Sequence, residues 1–296
     1  TLIYLQTKSP EIQIEKISKN FMNRLSANRV LTKKETAFHL RKKQIDLVLV
    51  ILFPFLATFL ALFFDLTFFA STLLYYGTPA LYLSLRSPKL VLKASIFSLL
   101  FAIPFGVIID YLAFVDRSWI IPFSWFPYRI FGMVSLDGIT WGILMTYSIV
   151  FFYEHFIDHG KNKTIDKHLI HLVYLIIILL LIFFIFMTTR QAALGVPYFY
   201  LWVGVILAGI PAVTLLIQVP KMLAKYIKTS IYFFLIAVLS EYTGLRLGHW
   251  MFPGKNFLGW MPFFGFRIPI EQAIFFFLLA AVGIIAIYEF FDDDGK

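Results

Sequence analysis

Four acidic residues stand apart from the other Asp and Glu, which total 17 in this chain. Most acids sit in the tails or in polar connections. Asp110, Asp137, Glu241 and Glu271 instead lie in or beside long apolar runs. An ionisable side chain inside a membrane span costs about 3 kcal/mol on insertion scales, so it normally faces the bundle interior and does work there. Carboxyls brought together in an apolar site hold at least one of their number neutral. A neutral carboxylic acid can donate a proton at physiological pH. The competing reading is a set of structural ion pairs, with Arg129, Arg246 and Arg267 on the same side to neutralise the acids.

The spacing of these acids repeats. Asp110-Tyr111 precedes Trp119 by nine residues, and Pro122 follows three later; Glu241-Tyr242 precedes Trp250 by nine, and Pro253 follows three later. Ser87-Pro88-Lys89 answers Val219-Pro220-Lys221. Phe131-Gly132 leads to Asp137, and Phe264-Gly265 leads to Glu271. Tyr153-Glu154 answers Tyr288-Glu289. An aromatic belt explains each Trp singly, but not its common spacing to an acid. Two halves of four spans each make the repeats parallel, related by an axis along the membrane normal. In that arrangement the four acids converge near one depth.

The elements that would carry them are helices. Apolar residues make up 60% of the 296 and charged ones only 15%, against about 25% charged in ordinary soluble domains. That excludes a soluble enzyme, a disordered chain and an outer-membrane barrel, whose strands would alternate. Zero Cys excludes disulfides, thiolate metal sites and Cys nucleophiles. Apolar runs predict spans at 45–64, 67–85, 91–114, 131–153, 168–188, 197–218, 229–247 and 268–290, with Asp65 as the break between the first two. The fold class is an all-α polytopic membrane protein of about eight transmembrane helices, built as two parallel four-helix repeats. Its parts are a basic amphipathic arm (1–44), a first repeat (45–156), a linker (157–167), a second repeat (168–291) and an acidic tail (292–296).

Lys and Arg fix the expected orientation. Twenty of the 26 fall on one side, which places both termini and the linker in the cytoplasm of a cell (inner) membrane. The arm has Ile14, Ile17, Phe21 and Leu25 on one helical stripe, a helix start at Ser9-Pro10-Glu11 and a capping box from Thr32 to Glu35. With a formal net charge of +9 for the chain, the arm suits an anionic leaflet better than a nucleic acid.

Other chemistry is weakly signalled. His155, His159, His168 and His171 cluster near the linker without metal-ligand spacing, and no metal site is assigned. His249 beside Trp250 reads first as a local hydrogen bonder. Glu154 and Glu289 fall 17 and 18 residues after Asp137 and Glu271, about 26 Å along a helix, and so belong to the opposite membrane face. No Gly-rich phosphate loop is present. Most of the 35 Phe pack between helices or face lipid. Some rings can line a tunnel for a long polyene and stabilise a passing carbocation.

The stretch Arg267-Ile-Pro269-Ile-Glu271-Gln272-Ala-Ile-Phe275-Phe276 resembles the membrane-integral lycopene cyclases of bacteria and archaea, which occur as two small subunits or as their fusion. Their module runs acid, Trp with a nearby Pro, Gly, then Pro-x-Glu-Glu/Asp opening a Phe-rich helix. Glu241, Trp250, Pro253, Gly265, Pro269 and Glu271 match in that order, as do Asp110, Trp119, Pro122 and Gly132 in the first half. Gln272 replaces the second acid. The first motif reads Ser135-Leu136-Asp137-Gly138, without the Pro. The resemblance covers residues 45–291.

It implies a proton-initiated, non-redox cyclisation of a linear carotenoid end group. Glu271 is the expected proton donor, with Glu241 or Asp137 tuning it or taking the final proton and Asp110 as the fourth member. Trp250, Trp119, Phe275, Phe276 and Phe264 are the expected substrate-binding rings. Partners expected are a long apolar polyene or other isoprenoid lipid, anionic lipids at the arm, and a second copy or carotenoid-pathway enzymes. No cofactor is evident, and dependence on reduced flavin or nicotinamide stays open. The alternatives are a proton-coupled transporter and a non-catalytic carotenoid- or lipid-binding protein.

Overall fold

A computed structural model describes residues 42–162 and 164–292. The basic arm as far as residue 41, Lys163 and the end of the acidic tail lie outside the described residues. Of residues 1–49, the described part is the opening of the first helix; residues 50–296 form a separate compact unit.

Among the described residues seven helices are long and apolar enough to cross a membrane. They are α1 (Lys42–Phe63), α3 (Pro88–Asp116), α4 (Leu136–Asp158), α5 (Leu169–Thr189), α6 (Phe199–Gln218), α7 (Met222–Leu247) and α8 (Gln272–Phe291). The sequence leads one to expect eight. The remaining one, α2 (68–86), is helical but carries Ser71, Thr72, Thr78, Ser84 and three Tyr. Its polar groups bond inside the bundle: Tyr75 Oη meets Thr58 Oγ1 and Thr243 Oγ1, each at 2.7 Å, and Ser84 Oγ meets Tyr147 Oη at 2.6 Å. The break expected at Asp65 is real. Asp65 takes a left-handed φ of 48°, and Thr67 caps α2 by accepting the Ala70 N–H.

Two expected spans start too early. The runs beginning at 131 and 268 hide β-hairpins, which amend the all-α reading. β1 (Arg129–Ile130) pairs antiparallel with β2 (Val134–Ser135), and β3 (Trp260–Phe263) pairs with β4 (Phe266–Pro269). Phe131-Gly132 and Phe264-Gly265 turn them with positive φ at all four residues, a geometry that Gly permits without a steric penalty. Helix α4 begins only after Ser135, whose hydroxyl accepts the Gly138 N–H.

Helices α2 and α6 each contain a wide π turn, at Leu73–Gly77 and Val205–Gly209. Pro79 and Pro211 follow these turns. A proline has no N–H to donate and its ring crowds the carbonyl one turn back, so the helix widens there. Helix α8 opens with a longer π stretch, Gln272–Leu279.

Helices α4 and α8 are central, each with 56% of its apolar window buried, against 22% for α5. Phe97, Phe151, Tyr153, Ile236, Ile285 and Tyr288 form the fully buried middle. Phe59, Phe63, Ile178, Leu181 and Ile185 point outward, as lipid-facing side chains do in a bundle whose outside is as apolar as its core.

Candidate functional site

The two acid–Trp pairs adopt one geometry. Near the end of α3, Asp110 Oδ1 accepts the indole N–H of Trp119 at 3.1 Å; near the end of α7, Glu241 Oε1 accepts that of Trp250 at 3.3 Å. Each helix stops in a left-handed residue, Arg117 or Gly248, which turns the chain back so that the Trp reaches its own helix. The returning loops then join. Ile120 and Met251 form an antiparallel bridge with reciprocal N–H to O bonds of 2.9 and 3.0 Å.

The packing crosses between the halves. Phe68 of α2 sits edge-on to Trp250 at 5.5 Å, and Phe199 of α6 lies 6.0 Å from Trp119. Trp250 also covers Gly244 closely: a Cβ there would fall 2.3 Å from the indole ring.

Asp137 and Glu271 do different work from the other two acids. Both are fully buried. Asp137 Oδ2 accepts the Trp125 backbone N–H at 2.8 Å, and Glu271 Oε1 accepts that of Leu258 at 2.6 Å. Each therefore fastens the preceding loop to the start of α4 or α8. The second oxygen of each has no hydrogen-bond partner.

A cavity of about 250 Å³ opens between α3, α4, α6 and α8. Asp110 and Glu241 line it; Asp137 and Glu271 do not. Their following neighbours, Gly138 and Gln272, line it instead, because one residue along a helix rotates the side chain by about 100°. The expected proton donor Glu271 is thus set behind the wall, not in it. Of the expected rings, Trp119, Trp250, Phe275 and Phe276 line the cavity. Phe264 is set apart, at the tip of the β3–β4 hairpin and 70% exposed.

Two residues singled out by no motif, Trp141 and Tyr200, complete the wall with Gln272. Trp141 packs on Phe276 at 5.6 Å. Tyr200 is buried at 7% exposure, stands edge-on to Trp119 at 5.1 Å and donates its hydroxyl to Gln272 Oε1. Gln272 Nε2 in turn donates to Glu241 Oε2. The sequence shows Gln272 as a missing acid, and only its position one residue after Glu271 hints at this role.

The Arg residues expected to neutralise the acids divide. Arg129 turns inward and donates to the carbonyls of Ile121, Pro122 and Met133, at 2.7, 3.4 and 3.1 Å. Arg246 and Arg267 are exposed.

The histidines gather no metal site: among the described residues no three His, Asp or Glu converge as ligands. His155 Nδ1 bonds Ser87 Oγ at 2.9 Å, and His168 Nδ1 lies 2.7 Å from Asp166 Oδ1. His249 Nε2 bonds the Leu66 carbonyl at 2.9 Å. That carbonyl only accepts, so Nε2 carries the proton.

Fold and site together define a polytopic helical membrane protein with an apolar cavity that holds two carboxyl groups. The chain matches no family model, no curated protein and no solved structure.

Proposed function

We propose that the protein is an intramembrane isomerase of the lycopene-cyclase type, which closes a ring at the end of a linear polyisoprenoid. The observation that carries this is the cavity: an aromatic-lined space of about 250 Å³ into which Asp110 and Glu241 both look. Proton-initiated cyclisation needs an acid at one point and a dry, ring-faced surround, so that water does not quench the cation. Trp119, Trp141, Trp250, Phe275 and Phe276 supply such a surround.

The cavity lies below the roughly 300–1,000 Å³ of ordinary small-molecule pockets. It suits one end group, with the rest of the polyene running out between helices. The shared acid–Trp geometry, the bridged loops and the two Pro-marked π turns support two parallel four-helix repeats. The Lys and Arg distribution supports cytoplasmic termini in a cell membrane.

Expression in a lycopene-accumulating host tests the reading by pigment chromatography. Cyclic carotenoid is expected. Unchanged lycopene, with the protein confirmed in the membrane, overturns it. Lycopene that copurifies without turnover identifies a binding protein instead.

A further inference from the structure

We propose that the two cavity acids have separate tasks: Glu241 holds the proton that starts the reaction, and Asp110 is the anion that faces the cation and takes a proton back. This rests on the cyclisation reading above for its substrate, but the division itself comes from the surroundings of each carboxyl.

Glu241 is fully buried, and each of its hydrogen-bond partners is neutral: the Trp250 indole and the Gln272 amide. The other titratable groups facing it are the hydroxyls of Tyr76 from α2 and Tyr200 from α6. Arg246, on the same helix, is exposed. A carboxyl stripped of water with no cation beside it keeps its proton. Asp110 is likewise cut off from water, but the Arg129 guanidinium lies in the loop beside it, on the carbonyls of Ile121 and Pro122. The second hairpin has Pro262 at the position matching Arg129, counted from the Phe-Gly turn. One half supplies a cation where the other cannot.

Gln272 makes the arrangement reversible. In the orientation seen, Gln272 Nε2 donates to Glu241 Oε2, the pairing for a carboxylate; turned over, the amide offers its C=O to the carboxylic acid. The Tyr200 hydroxyl beyond it both donates and accepts, so it matches either orientation. Glu241 can therefore lose and regain its proton with Gln272 bonded to it in both states. Gln272 and Tyr200 are positioning residues that act through Glu241.

Asp110 has its own opening. Trp119 occupies Oδ1, while Oδ2 points to Gly138, where even a Cβ would approach to 2.6 Å. The absence of a side chain at 138 leaves that oxygen bare toward the cavity.

In the reaction the Glu241 O–H bond breaks and its proton forms a C–H bond with the π pair of the terminal alkene. The resulting tertiary cation is attacked by an internal double bond, which closes the ring. Asp110 carboxylate then removes a proton from the carbon beside the new cation, restoring a double bond. Proton return from Asp110 to Glu241 resets the pair. No electron is gained or lost overall.

The test is infrared spectroscopy of the full chain reconstituted in lipid, read through the protonated-carboxyl stretch and its shift in heavy water. The band is expected in the wild type, lost in Glu241→Gln, kept in Asp110→Asn, and shifted without loss in Tyr200→Phe, which leaves the ring in place. Loss in Asp110→Asn but not in Glu241→Gln overturns the division. A band unaffected by either substitution, or no band in the wild type, also overturns it. Turnover supplies the second reading. Glu241→Gln and Asp110→Asn should each lose about 10²-fold or more. Tyr200→Phe should lose less, and its pH profile should move. The expected band pattern without lycopene turnover sinks the substrate and leaves the division. Turnover with the wrong band pattern does the reverse.

Discussion

One step along a helix separates a residue that fastens a loop from one that faces the cavity. Glu271 holds the Leu258 backbone, while Gln272 reaches Glu241. The sequence names both positions but cannot rank them, because the difference is the direction of a side chain at the first turn of α8. Asp137 and Gly138 repeat the lesson. His249 gives a prediction at this scale. Burial pushes its imidazole below the usual value, against a smaller upward push from its bond to the Leu66 carbonyl. The unfolded chain therefore binds a proton more readily than the folded one. Stability is complete above the ordinary histidine value of 6.5 and is lost as pH falls through the lower folded value. Thermal unfolding in detergent should show a midpoint that drops as pH falls below 6.5. His249→Gln, which can still donate an N–H, should flatten that slope. An unchanged slope in His249→Gln would remove His249 as its source.

At the scale of elements, long apolar runs gave the helices directly, since a span in lipid must satisfy its backbone internally. The hairpins were hidden because Ile130, Phe131, Ile268 and their neighbours are as apolar as the helices that follow, and only the Phe-Gly pairs mark the turns. Close approaches were hidden too, since a Gly in a sequence does not reveal what it touches. Gly204 in α6 is the sharpest case: a Cβ there would lie 2.1 Å from Cγ of Phe275, inside the ring of α8. Phe275 belongs to the π stretch that opens α8, so its ring is held from both sides. Gly204→Ala should force the ring into the cavity and destabilise by about 1–3 kcal/mol, as overpacking does. The check is a thermal midpoint together with lycopene conversion. Adding Phe275→Leu should recover part of the lost stability; a double variant no better than Gly204→Ala alone would show that the ring is not the obstacle.

Across the whole molecule, the end opposite the cavity acids is joined by a second paired set of charges. Lys93 of α3 lies 3.6 Å from Glu154 of α4, and Lys225 of α7 lies 3.0 Å from Glu289 of α8 and 2.8 Å from Asp158. Tyr288 donates its hydroxyl to Glu154. Lys93 stands 5.1 Å over the Tyr288 ring, and Lys225 stands 5.4 Å over the Tyr153 ring. Sequence spacing placed Glu154 and Glu289 on this far side, but not their burial among Lys and Tyr. For Lys225 that depended on α7 starting at Met222, before its apolar run at 229, so that Lys225 becomes helical; Lys93 lay inside its run, but the run does not show that it turns inward. Lys93–Glu154 and Lys225–Glu289 each join the two helices of one half, and Lys225–Asp158 and Tyr288–Glu154 tie the halves together. Removing one member of a buried charge set leaves the others stranded and typically costs about 3–5 kcal/mol. Lys225→Met keeps most of the length of the side chain but removes the cation that Asp158 and Glu289 share. Asp158 keeps Lys161 at 3.4 Å, so the loss falls mainly on the Glu289 contact; the thermal midpoint should drop while the carboxyl band of Glu241 stays unchanged, because the two polar clusters lie about 26 Å apart along α8. Lys225→Met with Glu289→Gln should recover part of the loss, since the double variant strands one carboxylate fewer. A midpoint equal to wild type in Lys225→Met would mean that the far cluster carries no share of the bundle's stability. A moved carboxyl band would mean that the two ends are not independent.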